Sequence, residues 1–471
     1  MTAAPTVGRL VQRGTWLAFA SVTAATFSVN LDRTMTSVAL PQIGVDLGAT
    51  GLDAVVTANL IAVAVASPGS GWLADRFGSR RTLCGALAVL VGSSLVSAGA
   101  ASMPMLIASR AVQGASGGVV LSITLAVIHG LFAPEHRPRA FAIQAAVVMV
   151  SPALGPIFGG YLASFDWRGT FLVLAVVAAV ALGLALRFLP VSPGRDPVPS
   201  IDWPGWILAG VGFPMLLLVT TSANEWGWTA TPTIGAGLAA TSLLAVFARR
   251  ELTIDAPLLR LHALSNRVLA TTFALEWIIT VPYQSQFVLL PLELTTVAGQ
   301  PPLRAGIMIT PSAIGTMLAL RPASVLLARR GVRINVLIGT ACLVAATFGL
   351  TLVDASIPLW VVALVMVPHG LGGGFCLMPL LVAGLDAVEE DLVSQVSAMR
   401  IVNKLIAQAV GVSVSVGLLV ALMGDSDVLL AARSDPARAL AAYVTVDRLL
   451  LIPAVLGFVV AASSRSLRAR R

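Results

Sequence analysis

Apolar residues run along this chain in long stretches, interrupted by short joints carrying arginine, aspartate or proline. A helix needs roughly 20 predominantly apolar residues to cross a bilayer, so these stretches read as membrane spans. With charged or Pro-rich joints as boundaries, about fourteen are predicted. They lie near 16–39, 54–74, 82–101, 104–131, 139–163, 169–189, 203–222, 229–248, 268–292, 303–327, 334–353, 358–385, 395–423 and 441–463. The first apolar run, Trp16 to Leu40, is too long and too broken by polar residues to be a cleavable signal peptide.

The joints orient the chain, because cytoplasmic loops of membrane proteins are enriched in Lys and Arg. With the N-terminus inside, the inner joints and tails hold 22 of the 30 basic residues. The outer joints hold only Arg168, Arg304, Arg433, Arg438 and Arg448, while Arg33, Arg110 and Arg321 fall within spans. An even number of spans with both termini cytoplasmic accounts for that asymmetry. The joints Pro190–Asp202 and Arg249–Arg267 bracket two spans with few intramembrane charges. The chain therefore divides into six spans (1–189), a linker with two inserted spans (190–266) and six more spans (267–471). A faint echo supports the division: Leu73-Ala74-Asp75-Arg76-Phe77-Gly78-Ser79-Arg80 resembles Leu327-Ala328-Arg329-Arg330-Gly331-Val332-Arg333.

Composition narrows the function classes. Of 471 residues, 57% are apolar and 11% charged, against about a quarter charged in soluble domains, which excludes a soluble enzyme. Lys+Arg exceed Asp+Glu by 30 to 22, but the basic residues are scattered singly and in pairs, so no nucleic-acid face is implied. Cys84, Cys342 and Cys376 lie inside apolar runs without CxxC or metal-ligand spacing. Neither a metal nor another cofactor is expected, and the lack of GxxxxGK[ST] argues against ATP drive.

Four motifs carry more. Gly71-Trp72-Leu73-Ala74-Asp75-Arg76-Phe77-Gly78-Ser79-Arg80-Arg81 joins spans two and three. Its glycines permit a tight turn and close helix approach, Asp75 can cap a neighbouring helix N-terminus, and Arg76, Arg80 and Arg81 hold the joint on the inner side. Leu31-Asp32-Arg33-Thr34, followed by Val38-Ala39-Leu40-Pro41, lies in span one, and Arg110-Ala111-Val112-Gln113-Gly114 in span four. Span five holds Ser151-Pro152-Ala153-Leu154-Gly155-Pro156-Ile157-Phe158-Gly159-Gly160. The first resembles the signature loop of the major facilitator superfamily. The span-one stretch resembles the first-span motif of that superfamily's fourteen-span drug:proton antiporter branch, the span-four stretch the superfamily's fourth-span arginine motif, and the span-five stretch the fifth-span antiporter motif, lacking only its opening glycine.

That resemblance implies an all-α polytopic major facilitator fold of two six-helix bundles, an inserted helix pair and a central cavity opening alternately to each side. It also implies proton-coupled efflux of small amphipathic or cationic compounds, with Gly155, Pro156, Gly159 and Gly160 forming part of the seal between halves. The partners expected are a small-molecule substrate, protons and lipid, for a monomer in a bacterial inner membrane. A dedicated exporter of one endogenous metabolite or lipid would use the same motifs. A membrane-embedded enzyme would need clustered catalytic groups, and four scattered histidines do not supply them.

Charges inside spans are costly and usually functional. At 1.5 Å per residue Asp32 lies roughly 24 Å from the inner face, and Arg110 roughly 9 Å from the outer face of a core about 30 Å thick. They share a depth and can pair, with protonation of Asp32 releasing the arginine. Arg33 departs from the resembled motif and is expected to snorkel outward or to act on Asp32. Glu276 lies roughly 14 Å deep, near the level of transporter binding sites, with Trp277, Tyr283 and Gln284 offering aromatic and hydrogen-bonding surface for organic cations. His369, ahead of the glycines at 370 and 372–374, can relay protons or be satisfied by one hydrogen bond. Arg400 and Lys404 are expected to snorkel or to meet Asp386, Glu389, Glu390 and Asp391, and His129 to be interfacial.

Overall fold

The computed structural model describes residues 4–47, 53–191, 201–227, 230–254, 257–300, 302–353, 357–424, 435–464 and 467. Most of the Pro190–Asp202 joint, the outer joint across 425–434 and the basic tail at 468–471 lie outside the described residues, as does the side chain of Pro156.

Among the described residues every regular element is helical. In chain order they are α1 Ala4–Leu47, α2 Asp53–Ala66, α3 Ser70–Phe77, α4 Ser79–Ala98, α5 Met103–Leu131, α6 Arg137–Ala163, α7 Arg168–Phe188, α8 Trp203–Trp226 and α9 Thr231–Glu251. They continue with α10 Arg267–Thr296, α11 Pro302–Ile307, α12 Thr310–Arg330, α13 Val332–Leu350, α14 Leu359–Leu385, α15 Val393–Met423 and α16 Pro436–Ser463. Among the described residues nine helices are long and apolar enough to cross a membrane, or up to ten if the bent pair α2 and α3 is one span. That bend of 54° corrects the expected continuous span at 54–74. It falls at Ser67-Pro68-Gly69, where proline supplies no N–H for the helix ladder.

Helices α1 to α7 pack chiefly among themselves, α1 against α5, α6 and α7, and α2 and α4 against α5. Helices α10 to α16 do the same around α14, which touches α10, α12 and α13. The two groups meet where α6 crosses α12 and α15 crosses α3 and α5. The hairpin of α8 and α9 leans on α2 and α15. Its Trp206 donates to the Val65 carbonyl at 2.9 Å and covers Gly69, where a Cβ would stand 2.7 Å from the indole.

Small residues set these distances, as expected where lipid offers no hydrophobic drive between helices. At Gly114 an added Cβ would run into the Asn59 backbone of α2, and at Gly155 into Thr34 of α1. At Gly159 it would stand 2.9 Å from Met35. On α14, Gly370 packs on Ser312, Gly372 on the Gly339 carbonyl and Gly374 on Ala319.

Candidate functional site: charged pairs and a latch between the two helix groups

Asp32 and Arg110 meet as the sequence depth predicts. Arg110 Nη1 donates to both Asp32 oxygens, at 2.6 and 2.7 Å. The side chains are 5% and 1% exposed. Around them Arg110 Nη1 reaches Gln113 Oε1 at 2.6 Å, Gln113 donates to Ser94, Thr36 donates to Asp32 and Asn59 donates to the Arg110 carbonyl. Phe171 lies 5.8 Å from the guanidinium. Charge here is paired and enclosed, which is what burial of ions demands.

Glu276 on α10 has looser company. Arg400 Nη2 on α15 approaches its Oε1 at 3.2 Å, but that nitrogen makes no aligned hydrogen bond. Asn403 donates to Oε2 at 3.0 Å and accepts from the Trp277 indole at 2.7 Å. Arg400 Nη1 donates to the Leu380 carbonyl. One turn on, Gln408 donates to Gln284. Arg400 is thus buried against Glu276 rather than snorkelling or meeting the acidic cluster, because α15 packs closely on α10 there.

Arg33 does not snorkel either. Its Nε and Nη2 are shut from solvent and have no hydrogen-bond partner among the described residues. Tyr283, expected to offer aromatic surface to a bound cation, is instead enclosed with His369 by α10, α12 and α14. Their rings stack at 4.8 Å with a 9° interplanar angle. His369 Nδ1 bonds the Ser312 hydroxyl at 2.9 Å and Tyr283 that of Thr316 at 3.3 Å. The Tyr283 ring lies over Gly373 of α14, where an added Cβ would run into it, while Trp277 and Gln284 remain half-buried.

The Gly71–Arg81 loop forms a latch. Gly78 has φ of +81°, a backbone region that favours glycine, and ends α3 where α4 starts. A Cβ at Gly71 would stand 2.9 Å from Gln395, and Gln395 Nε2 donates to Asp75 Oδ2 at 3.1 Å. Arg80 donates to the Leu186 carbonyl, while Arg76 and Arg81 are exposed. A second tie lies in the same region: Asp386 accepts from Arg137 at 2.6 Å and bonds His129 Nε2 at 2.9 Å. His129 thus makes a contact between the two helix groups.

Sequence reasoning passed over one polar set on α10 and α16. Gln286 donates to Asp447 at 2.6 Å, and the Tyr443 and Thr296 hydroxyls lie 3.1 Å apart. Glu293 is buried with no hydrogen-bond partner among the described residues. The spacings 286/293 and 443/447 put each pair on one helix face, a signal the apolar background hides.

Two helix groups, charges buried between helices and a polar latch across the groups fit a membrane transporter. Residues 22–412 match the Major Facilitator Superfamily, and the chain belongs to that family. It is 30% identical over 427 residues to a multidrug resistance protein B homolog of Mycobacterium tuberculosis, covering 87% of this chain and 77% of that one. It is 26% identical over 414 residues to the tetracenomycin C resistance and export protein of Streptomyces glaucescens, covering 87% and 76%. The human organic anion transporter MFSD10 shares the fold, with a TM-score of 0.65 at 16% identity over 95% of this chain and 99% of that chain.

Proposed function

We propose that the protein is a proton-coupled antiporter that exports small amphipathic compounds across a bacterial inner membrane, in the manner of the fourteen-span branch. In this reading the chain folds as bundles 1–189 and 267–471 with an inserted pair in 190–266, both termini cytoplasmic, working as a monomer. The observation that carries it is the enclosed Asp32–Arg110 pair. A proton arriving at Asp32 removes the charge that holds Arg110, and a buried guanidinium without its partner must move or find another. The Asp75–Gln395 and Asp386–Arg137 contacts then serve as the cytoplasmic latch that opens when the bundles rock, with Gly155, Pro156, Gly159 and Gly160 in the seal beside α1. Relatives named for multidrug resistance and for tetracenomycin C export support export of drug-like compounds.

The test is transport in proteoliposomes under an imposed pH gradient. Wild type should move a dye from its drug panel against that gradient, and collapsing the gradient should stop it. Asp32→Asn, which keeps the volume and loses the titrating group, should abolish gradient-driven movement. Undiminished movement by that variant would overturn the coupling.

A further inference from the structure

The charges between the two helix groups do not balance. Asp32 is cancelled by Arg110 and Glu276 by Arg400, which leaves Arg33 of α1 and Lys404 of α15. Lys404 has no carboxylate within ion-pair distance and no hydrogen bond among the described residues. Its charge surroundings are Glu276, Arg33 and Arg400, so it feels two cations against one acid already engaged. Its side chain is solvent-exposed although it lies within electrostatic reach of Arg33 on the opposite helix group. Exposure together with that reach points to open space on the side of α15 toward α1. Arg33 adds two enclosed N–H-bearing nitrogens that bond nothing, and Arg400 adds Nη2 with no aligned acceptor.

We infer that this space binds an organic anion, held between Arg33 and Lys404 with Arg400 as a third donor, and not the organic cation that Glu276 alone would suggest. This deepens the antiporter reading above and rests on it. Among the described residues Arg33 has in electrostatic reach, as acid, only the Asp32 that Arg110 already holds, and Lys404 only the Glu276 that Arg400 holds; cations so incompletely compensated in a low-dielectric region are poorly solvated. An incoming carboxylate or phenolate relieves that penalty at both and meets a guanidinium fork suited to it. The neighbouring surface suits an aromatic body: Trp277 stands half-buried beside Asn403, and Phe273 lies 5.4 Å from the Arg400 guanidinium. Residues 400, 404 and 408 recur every fourth position, so Arg, Lys and Gln share one face of α15. The ligand class is thus an amphipathic aromatic acid.

The test uses two xanthene dyes of similar size and opposite charge, carboxyfluorescein and rhodamine 123. Binding to the full-length protein in detergent is read by fluorescence polarisation at neutral pH, with partition into empty micelles subtracted. No proton gradient is present, so failure of the coupling mechanism would leave this result unchanged, and failure here would leave the Asp32→Asn experiment standing. Wild type should bind carboxyfluorescein at least about tenfold more tightly than rhodamine 123. Arg33→Gln and Lys404→Gln should each weaken the anion about tenfold, the loss one charge contact in a partly hydrated cavity supplies. Lys404→Arg should restore binding, and Lys404→Glu should reverse the preference; both report on charge independently of any folding defect, which gel filtration reads separately. Equal or tighter binding of rhodamine 123 by wild type would overturn the inference. So would binding of neither dye, or unchanged anion affinity in well-folded Lys404→Gln.

Discussion

The two carboxylate–guanidinium pairs are built from the same groups and differ in how completely they are satisfied. Both Asp32 oxygens accept from one Arg110 nitrogen, at 2.6 and 2.7 Å, with Thr36 as a further donor, inside a network that continues through Gln113 to Ser94. Glu276 meets Arg400 at 3.2 Å without alignment and relies on Asn403 for its second oxygen. A closed network ties its proton state to the helices that build it, so titration there forces a change of structure. An open one leaves donor capacity for a ligand. Under the function proposed above, the difference separates a coupling element from a binding element, although both read in the sequence as intramembrane charge.

The comparison breaks most visibly at Arg110. Arg110→Gln strands a carboxylate in an enclosed site and should cost about 3–5 kcal/mol, measured as unfolding in detergent. Next comes the backbone cage of the same pair. Gly114→Ala would push a methyl against the Asn59 chain, whose amide donates to the Arg110 carbonyl, at about 2–3 kcal/mol. Arg400→Gln should cost less, about 1–2 kcal/mol, because Asn403 and the nearby Lys404 still face Glu276; a loss as large as that of Arg110→Gln would erase the distinction drawn here.

The smallest effect is expected outside the pairs. The Trp167 indole and Arg168 guanidinium beside Asp46 hold its carboxyl below the usual carboxylate range. A depressed value in the folded state means the stabilisation is present above the unfolded carboxylate value, about 4, and lost as pH falls through the folded one. Asp46→Asn should therefore flatten the acid limb of the melting curve slightly and leave neutral pH almost unchanged.

What the sequence made legible follows from which physics is local. Apolar run length placed the helices, and depth counting along α1 and α5 brought Asp32 to Arg110, because both helices are regular and one residue advances each by a fixed rise. The break at Pro68 is a local property that a hydropathy pattern smooths over. Arg400 and Tyr283 were misplaced because their surroundings depend on which face of α10, α14 and α15 turns inward. That rotation is set by glycine contacts such as Gly374 on Ala319. Glu293 and Asp447 escaped notice for the same reason: each looks like an isolated polar residue until α10 and α16 are side by side.

The latch also has a history within each molecule's synthesis. Arg137 and Asp386 are separated by 249 positions, so at 5–20 residues per second the ribosome needs on the order of 10–50 s to deliver the second after the first. During that interval Arg137 is not idle, since its Nε is held by the His129 and Phe132 carbonyls of its own helix group. The nascent chain thus carries a docking point preset by residues already made. The closing tie between the groups awaits only the arrival of one aspartate at the end of α14.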